Sequence, residues 1–108
     1  MKKEIIKKTI LKTETSIVEA DKYVLKLFVT GILPNSARAV VNAKAFCEQY
    51  LKGKYELEII DIYQQPKLAI AEDIIAVPVF IKKFPFPEER VIGDLSDMEM
   101  ILIGLNLK

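Results

Sequence analysis

The sequence predicts an α/β protein that opens with a βαβ unit, and three observations carry that prediction. Tyr23-Val24-Leu25-Lys26-Leu27-Phe28-Val29 is a run of strand-forming residues, closed off by Gly31. A helical apolar pattern follows from Asn35 to Leu51. Tyr55 to Ile62 then supplies a second strand, with Leu57, Ile59 and Ile60 apolar. Strand, helix and strand over this length imply parallel strands joined by a right-handed crossover.

The elements can be justified in order. Val24, Leu25, Leu27, Phe28 and Val29 make the first strand apolar on both faces, as a central strand requires. Thr30-Gly31-Ile32-Leu33-Pro34 reads as a turn, after which Asn35 or Ser36 can cap the helix by accepting a backbone N–H. Val40, Ala43, Cys47, Tyr50 and Leu51 form one helical stripe, widened by Ala39 and Phe46. Cys47 therefore falls on the buried face and reads as a core cysteine. Gly53 is the expected helix C-cap. Pro66 ends the second strand, and Lys67 to Ile75 reads as a short helix with Leu68, Ala71, Ile74 and Ile75 inward. Ala76-Val77-Pro78 leads into a strand at Val79-Phe80-Ile81. Phe84-Pro85-Phe86-Pro87 fits neither a helix nor a central strand. Glu88 to Ile92 reads as a short edge strand. Ser96 with Glu99 three residues later makes a capping box, with Leu95 and Met100 placed as its hydrophobic staple. That capping also explains Asp94, Asp97 and Glu99 better than a hard-cation site, which needs more oxygen ligands. The last run, Met100 to Leu107, stays open: its cap suits a helix, its uninterrupted apolar residues suit a buried strand, and Gly104 weakens a helix by about 1 kcal/mol.

Composition excludes several function classes. The 108 residues suit one domain, with residues 1–21 as an N-terminal extension and 22–108 as the folded unit. In the extension, Lys2, Lys3, Lys7, Lys8 and Lys12 punctuate Ile5, Ile6, Ile10 and Leu11. It reads either as a loosely packed arm or as an amphipathic helix that docks on a partner or acidic surface. Lys plus Arg is 16 against 15 for Asp plus Glu, a net charge of +1, which gives no case for nucleic acid. No apolar run reaches the roughly 18 residues of a membrane span. The first residues lack the apolar core and cleavage site of a signal peptide, and a lone cysteine offers no internal disulfide, so a reducing cytoplasm is the expected compartment. With no histidine, neither a Ser–His–Asp nor a Cys–His arrangement is available within the chain, and a zinc site lacks ligands. No GxxxxGK[ST] loop is present. No catalytic, cofactor-binding or metal-binding residues are expected.

The layout resembles the thioredoxin-like superfamily, whose redox members carry a cysteine pair in the turn that here reads Thr30 to Pro34. Pro78, entering a strand beside that turn, stands where such folds place a cis peptide. Within that superfamily the chain resembles the KaiB family, the small partner of the KaiC ATPase in circadian clocks. The segments that carry the resemblance are Tyr23 to Val29, Gly31, Pro34-Asn35-Ser36, Arg38-Ala39, Tyr55, Ile60-Asp61, Pro66, Leu68-Ala69, Pro78, Pro85, Pro87, Arg90, Ile92 to Asp97 and Leu102 to Leu105. They run from about residue 22 to the end.

What the resemblance implies is a non-enzymatic adaptor that binds a KaiC-like ATPase and modulates its phosphorylation or ATPase cycle. It implies self-association as a homotetramer or dimer, and a second half that switches between a strand-ended packing and a thioredoxin-like monomer. Gly104 and Asn106 fall in the segment that would switch. Basic docking positions of the family match Arg38, Lys82 and Arg90, whereas Glu58, Asp73 and Glu89 place acids where the family carries bases. Opposite charge at an interface costs several kcal/mol against an unchanged partner. The acidic C-terminal tail of clock members is not matched up to Lys108. These departures leave room for a stress-response regulator with other partners. A third reading is a degenerate thiol or glutathione-handling enzyme with Ser36 at the helix N-terminus, although capping explains Ser36 more simply.

Overall fold

The computed structural model describes residues 22–31 and 33–108. The N-terminal extension, and with it the arm-or-helix expectation, lies outside the described residues. Four strands and three helices follow in the order β1 (Tyr23–Val29), α1 (Pro34–Tyr50), β2 (Tyr55–Asp61), α2 (Pro66–Ala71), β3 (Val79–Phe84), β4 (Glu89–Ile92) and α3 (Met98–Gly104). They build one sheet of order β2-β1-β3-β4. β1 runs parallel to β2, with Tyr23 opposite Tyr55 and Val29 opposite Asp61. β3 is antiparallel to both β1 and β4. The central position of β1 is what its two-faced apolar pattern requires.

Alternation along the strands sends side chains to two layers. Leu25, Leu27 and Val29 of β1 and Phe80 of β3 pack with Ala39, Ala43, Phe46 and Cys47 of α1 and with Ile101 and Leu105 of the C-terminal segment. Phe28, Ile60, Val79 and Ile81 face the other way, against Leu68, Ile74 and Val77 around α2. The Phe46 ring meets Phe80 edge-on, centroids 6.1 Å apart, a favoured aromatic geometry.

Several local expectations change. The α1 N-cap is Leu33, without a side-chain cap, and Pro34 occupies the first turn, where its missing N–H costs nothing. Asn35 and Ser36 lie inside the helix instead. Its C-cap is Leu51, two residues before Gly53. α2 stops at Ala71, so the phase that would turn Ala71 and Ile75 inward is lost, and Ile75 is 96% exposed. The cap of α3 is Asp97, not Ser96: its side chain accepts the Met100 N–H at 3.1 Å. The staple moves with it, leaving Met100 exposed while Leu95 and Ile101 are buried in the main core.

The open C-terminal segment is a helix in this structure, and its stop is a Schellman motif. Leu107 N–H reaches Leu102 C=O at 2.8 Å, and Asn106 N–H reaches Ile103 C=O at 3.0 Å. Asn106 supplies the left-handed residue, φ 61°. α2 ends the same way. Ile74 N–H reaches Ala69 C=O at 3.0 Å, Asp73 N–H reaches Ile70 C=O at 3.1 Å, and Asp73 has φ 55°. The Val77-Pro78 peptide is cis, as are Phe84-Pro85 and Phe86-Pro87.

Candidate docking site

The turn between β1 and α1 is tied at both ends by side-chain acceptors. Ser36 Oγ accepts the Thr30 N–H at 3.0 Å, and Ser36 is buried. Asp61, ending β2, accepts the Gly31 N–H through Oδ2 at 3.0 Å and the Tyr63 N–H through Oδ1 at 2.8 Å. Gly31 sits at φ 29°, and a Cβ there would lie 3.5 Å from the same Asp61 Oδ2. Ser36 thus holds the turn closed rather than presenting a hydroxyl. A shallow cavity of about 240 Å³ separates the turn from Pro78, lined by Leu33, Pro34, Asn35, Ser36, Val77 and Pro78. None of those residues is titratable. Cys47 lies more than two helical turns further along α1, fully buried, and burial pushes its thiol up to about 12. A thiol that stays protonated at neutral pH is a poor nucleophile. Among the described residues no group of His, Cys, Asp or Glu side chains could hold a metal ion.

The three basic residues expected at a docking surface have different surroundings. Arg38, on the first turns of α1, is half exposed and pairs with Asp94 in the β4–α3 loop, Nε to Oδ2 at 3.1 Å. It also bonds Asn35. Asn42 donates to the Asp94 carbonyl at 2.8 Å, so this loop is pinned to α1 twice. Hydrogen bonds from Ser96 and then Arg38 hold the Asp94 carboxyl below the usual range. Lys82 is 2% exposed, inside β3 between Leu25 and Glu89 in the sheet register. In this packing it offers no charge to a partner, because β3 is an inner strand and the Lys82 position turns toward the α1 layer alongside Phe80. Arg90, on the edge strand β4, remains one-third exposed. It lies at the opposite face of the sheet from Arg38, so the structure does not gather these residues into one patch.

Arg90 belongs to a charge cluster that sequence reasoning missed. The carboxylate of Glu72, the C-cap of α2, accepts both oxygens' worth of hydrogen bonding from Lys83 Nζ, each at 2.9 Å. It also lies 3.5 Å from Arg90 and 3.8 Å from Lys26. Arg90 donates to the Glu72 backbone carbonyl at 2.7 Å. Glu88 completes the group, 3.1 Å from Lys83 and 3.4 Å from Arg90. Bonding to Glu72 raises the Lys83 ammonium, and bonding to Lys83 lowers the Glu88 carboxyl. The readable signal was parity: Lys26, Ile81 and Arg90 stand in one cross-strand row, and Lys83 is on the same face.

Of the acids that the resemblance sets against basic positions, Glu58 is exposed on the edge strand β2. Asp73 occupies the left-handed stop of α2, a position short polar residues tolerate. Glu89 begins β4. Largely exposed apolar residues surround α2: Tyr63 at 79%, Ile70 at 76% and Ile75. No helix among the described residues is long and apolar enough to cross a membrane.

Comparison with solved structures gives the class. Mitochondrial thioredoxin 3 from Saccharomyces cerevisiae superposes with a TM-score of 0.65 at 12% identity, covering 91% of this chain and 90% of that one. The N-terminal domain of Synechococcus elongatus SasA superposes with a TM-score of 0.60 at 21% identity, covering 82% and 80%. The fold is thioredoxin-like, with no cysteine in the turn that precedes α1. The KaiB domain model matches residues 26–107. The circadian clock oscillator protein KaiB of Prochlorococcus marinus subsp. pastoris is 47% identical over 91 residues, 84% of this chain and 85% of that protein. The protein of the same name from Synechococcus elongatus is 47% identical over 85 residues, 79% of this chain and 83% of that protein. The chain belongs to the KaiB family.

Proposed function

We propose that this protein is a non-enzymatic regulatory adaptor that binds a KaiC-like ATPase and modulates its phosphorylation or ATPase cycle. The observation that carries the reading is membership of a clock-protein family over nearly the whole folded unit, joined to a thioredoxin-like scaffold whose turn is closed by Ser36 and Asp61. A scaffold that positions no reactive group, yet leaves Tyr63, Ile70 and Ile75 exposed, is suited to burying surface against another protein. Arg38 and Arg90 would pair with partner acids, and Lys82 would join them only if β3 repacks. Gly104 and Asn106 would set the balance between this packing and a self-associated one, tetrameric or dimeric, because Asn106 stops α3 in the left-handed region and Gly104 lets α3 approach Val91.

The test is capture of the purified chain on the immobilised KaiC-like ATPase of the same organism, with ATP present. Stoichiometric retention that falls at least tenfold for Arg90→Glu is expected. No retention of wild type, or of a Gly104 variant that size exclusion shows to be monomeric, would sink the reading.

A further inference from the structure

We propose that Lys26, Lys83 and Arg90 form an anion site for the carboxylates of an acidic partner segment, with Glu72 as the internal occupant that such a segment displaces. The proposal rests on the docking reading only in supposing that a partner exists.

Three features set this cluster apart from a plain surface ion pair. Its cations come from three neighbouring strands, β1, β3 and β4, and they converge on one side chain. Among the described residues cations outnumber acids, three to two with Glu88 included, which leaves a positive charge over within them. The cations and their occupant are also held unequally. Lys26, Lys83 and Arg90 stand on paired strands. Glu72 closes a six-residue helix with no buried residue and precedes the left-handed Asp73. Donors fixed on paired strands around an acid carried at the end of a short surface helix are what a displaceable occupant requires.

The chemistry selects carboxylate on an extended or turning segment. Lys83 reaches both oxygens of the bound carboxylate, and Arg90 offers a planar fork that suits the same group. The cations keep roughly a quarter to a third of their side-chain surface, so an incoming acid can reach them without unfolding the sheet. The exposed Ile70 and Ile75 lie either side of Glu72 in sequence and give an apolar flank. An acidic segment with interspersed apolar residues fits this surface.

The cluster can be tested without any ATPase, so failure here and failure of ATPase capture are separate results. The probe is a fluorescein-labelled hexaglutamate peptide, followed by anisotropy with the full chain at low salt. Glu72→Gln is nearly isosteric and removes the competing charge. It is expected to tighten probe binding about tenfold, with the gain lost as salt screens the site. Arg90→Met or Lys83→Met in the Glu72→Gln background should return binding to the wild-type level or below. Lys44→Gln, on α1 at the other face, should change nothing. If circular dichroism shows Glu72→Gln unfolded, Glu88→Gln takes its place, since Glu88 competes for the same Lys83 and Arg90. Unchanged or weaker probe binding in the folded acid-to-amide variant would overturn the proposal, as would a gain that survives Arg90→Met and Lys83→Met together.

Discussion

The βαβ half and the half that follows it hold themselves together by different means. In the first, α1 buries Ser36, Ala39, Ala43, Phe46 and Cys47 against the sheet. In the second, α2 buries nothing and α3 buries only Ile101. Beyond the buried Val79, Phe80 and Ile81 of β3, the second half relies on polar and local contacts: a carboxylate held by cations from three strands, two Schellman stops, and left-handed backbone at Asp73, Leu95 and Asn106. Among the described residues, every non-glycine residue with positive φ falls in that half. Burial is non-directional and forgiving, whereas charge geometry and strained backbone depend on single residues. The hold of α1 is therefore spread over many contacts, whereas the polar contacts around α2 and α3 each rest on single residues.

The widest separation should come from truncating the buried ring of α1 and the exposed apolar face of α2. Phe46→Ala removes a fully buried ring that packs on Phe80 and is expected to cost about 3–5 kcal/mol in urea unfolding. Ile70→Ala, on the exposed face of α2, should stay within about 0.5 kcal/mol. Equal losses would break the contrast. Next in size is Glu72→Gln. Its carboxylate is mostly buried and takes charge-assisted hydrogen bonds from Lys83, so a loss of about 1–2 kcal/mol is expected, shrinking at high salt. The cluster also predicts a pH signature at its partly exposed margin. The lowered Glu88 carboxyl contributes stability above its unfolded value and loses it as pH falls through the folded one.

The two halves were also unequally legible. The periodicity of β1, α1 and β2 is legible because a buried face imposes it, and the structure departs from it at the caps of α1 and at Tyr50, which is 40% exposed rather than part of the buried stripe. Ser36 misled because the sequence does not say which N–H its hydroxyl will meet, and here it meets Thr30 across the turn. The second half gave weaker signals. A six-residue helix is too short for periodicity, so α2 was read four residues too long. The final apolar run fits helix and strand alike in sequence, and the left-handed stop at Asn106 belongs to the fold. Parity puts Lys83 on the same face of β3 as Ile81, but the strand order that brings Lys26, Lys83 and Arg90 together around Glu72 is not written in any local pattern. Lys82 taught the converse: a basic residue at a matching position can point into the core.

A third measurement tests the core of the first half by titration. Burial lifts the Cys47 thiol from 9.0 to about 12. A raised folded value means that stability is full below the unfolded pKa and is lost as pH rises toward the folded one. Between pH 8 and 10 the wild type should lose about 1 kcal/mol more than Cys47→Ala, since only the unfolded thiol ionises there. Tyr55, raised to about 12 chiefly by its hydrogen bond to Glu48, feels Cys47 only as the last of its causes, so most of its contribution is common to both proteins. Parallel pH profiles would show that Cys47 is not enclosed. Slow alkylation of the native thiol, accelerating in urea, is the matching kinetic result.

The finest comparison lies at the end of α3, where two residues act through different physics. Asn106 tolerates φ 61° as few residues do. Asn106→Val should cost about 1 kcal/mol, and Asn106→Gly should be neutral or slightly stabilising. Gly104 is a matter of space. A Cβ there would stand 2.5 Å from Val91 Cγ2 on β4, so Gly104→Ala sets better helix propensity against a clash, and the two roughly offset. Removing the obstacle separates them. In a Val91→Ala background, Gly104→Ala should stabilise by about 0.5–1 kcal/mol, whereas alone it gains little, giving a coupling of similar size in a double-mutant cycle. Additive effects would mean that α3 does not rest on β4 at this point. The balance of the second half would then be set by helix propensity alone, and not by how closely α3 approaches the sheet.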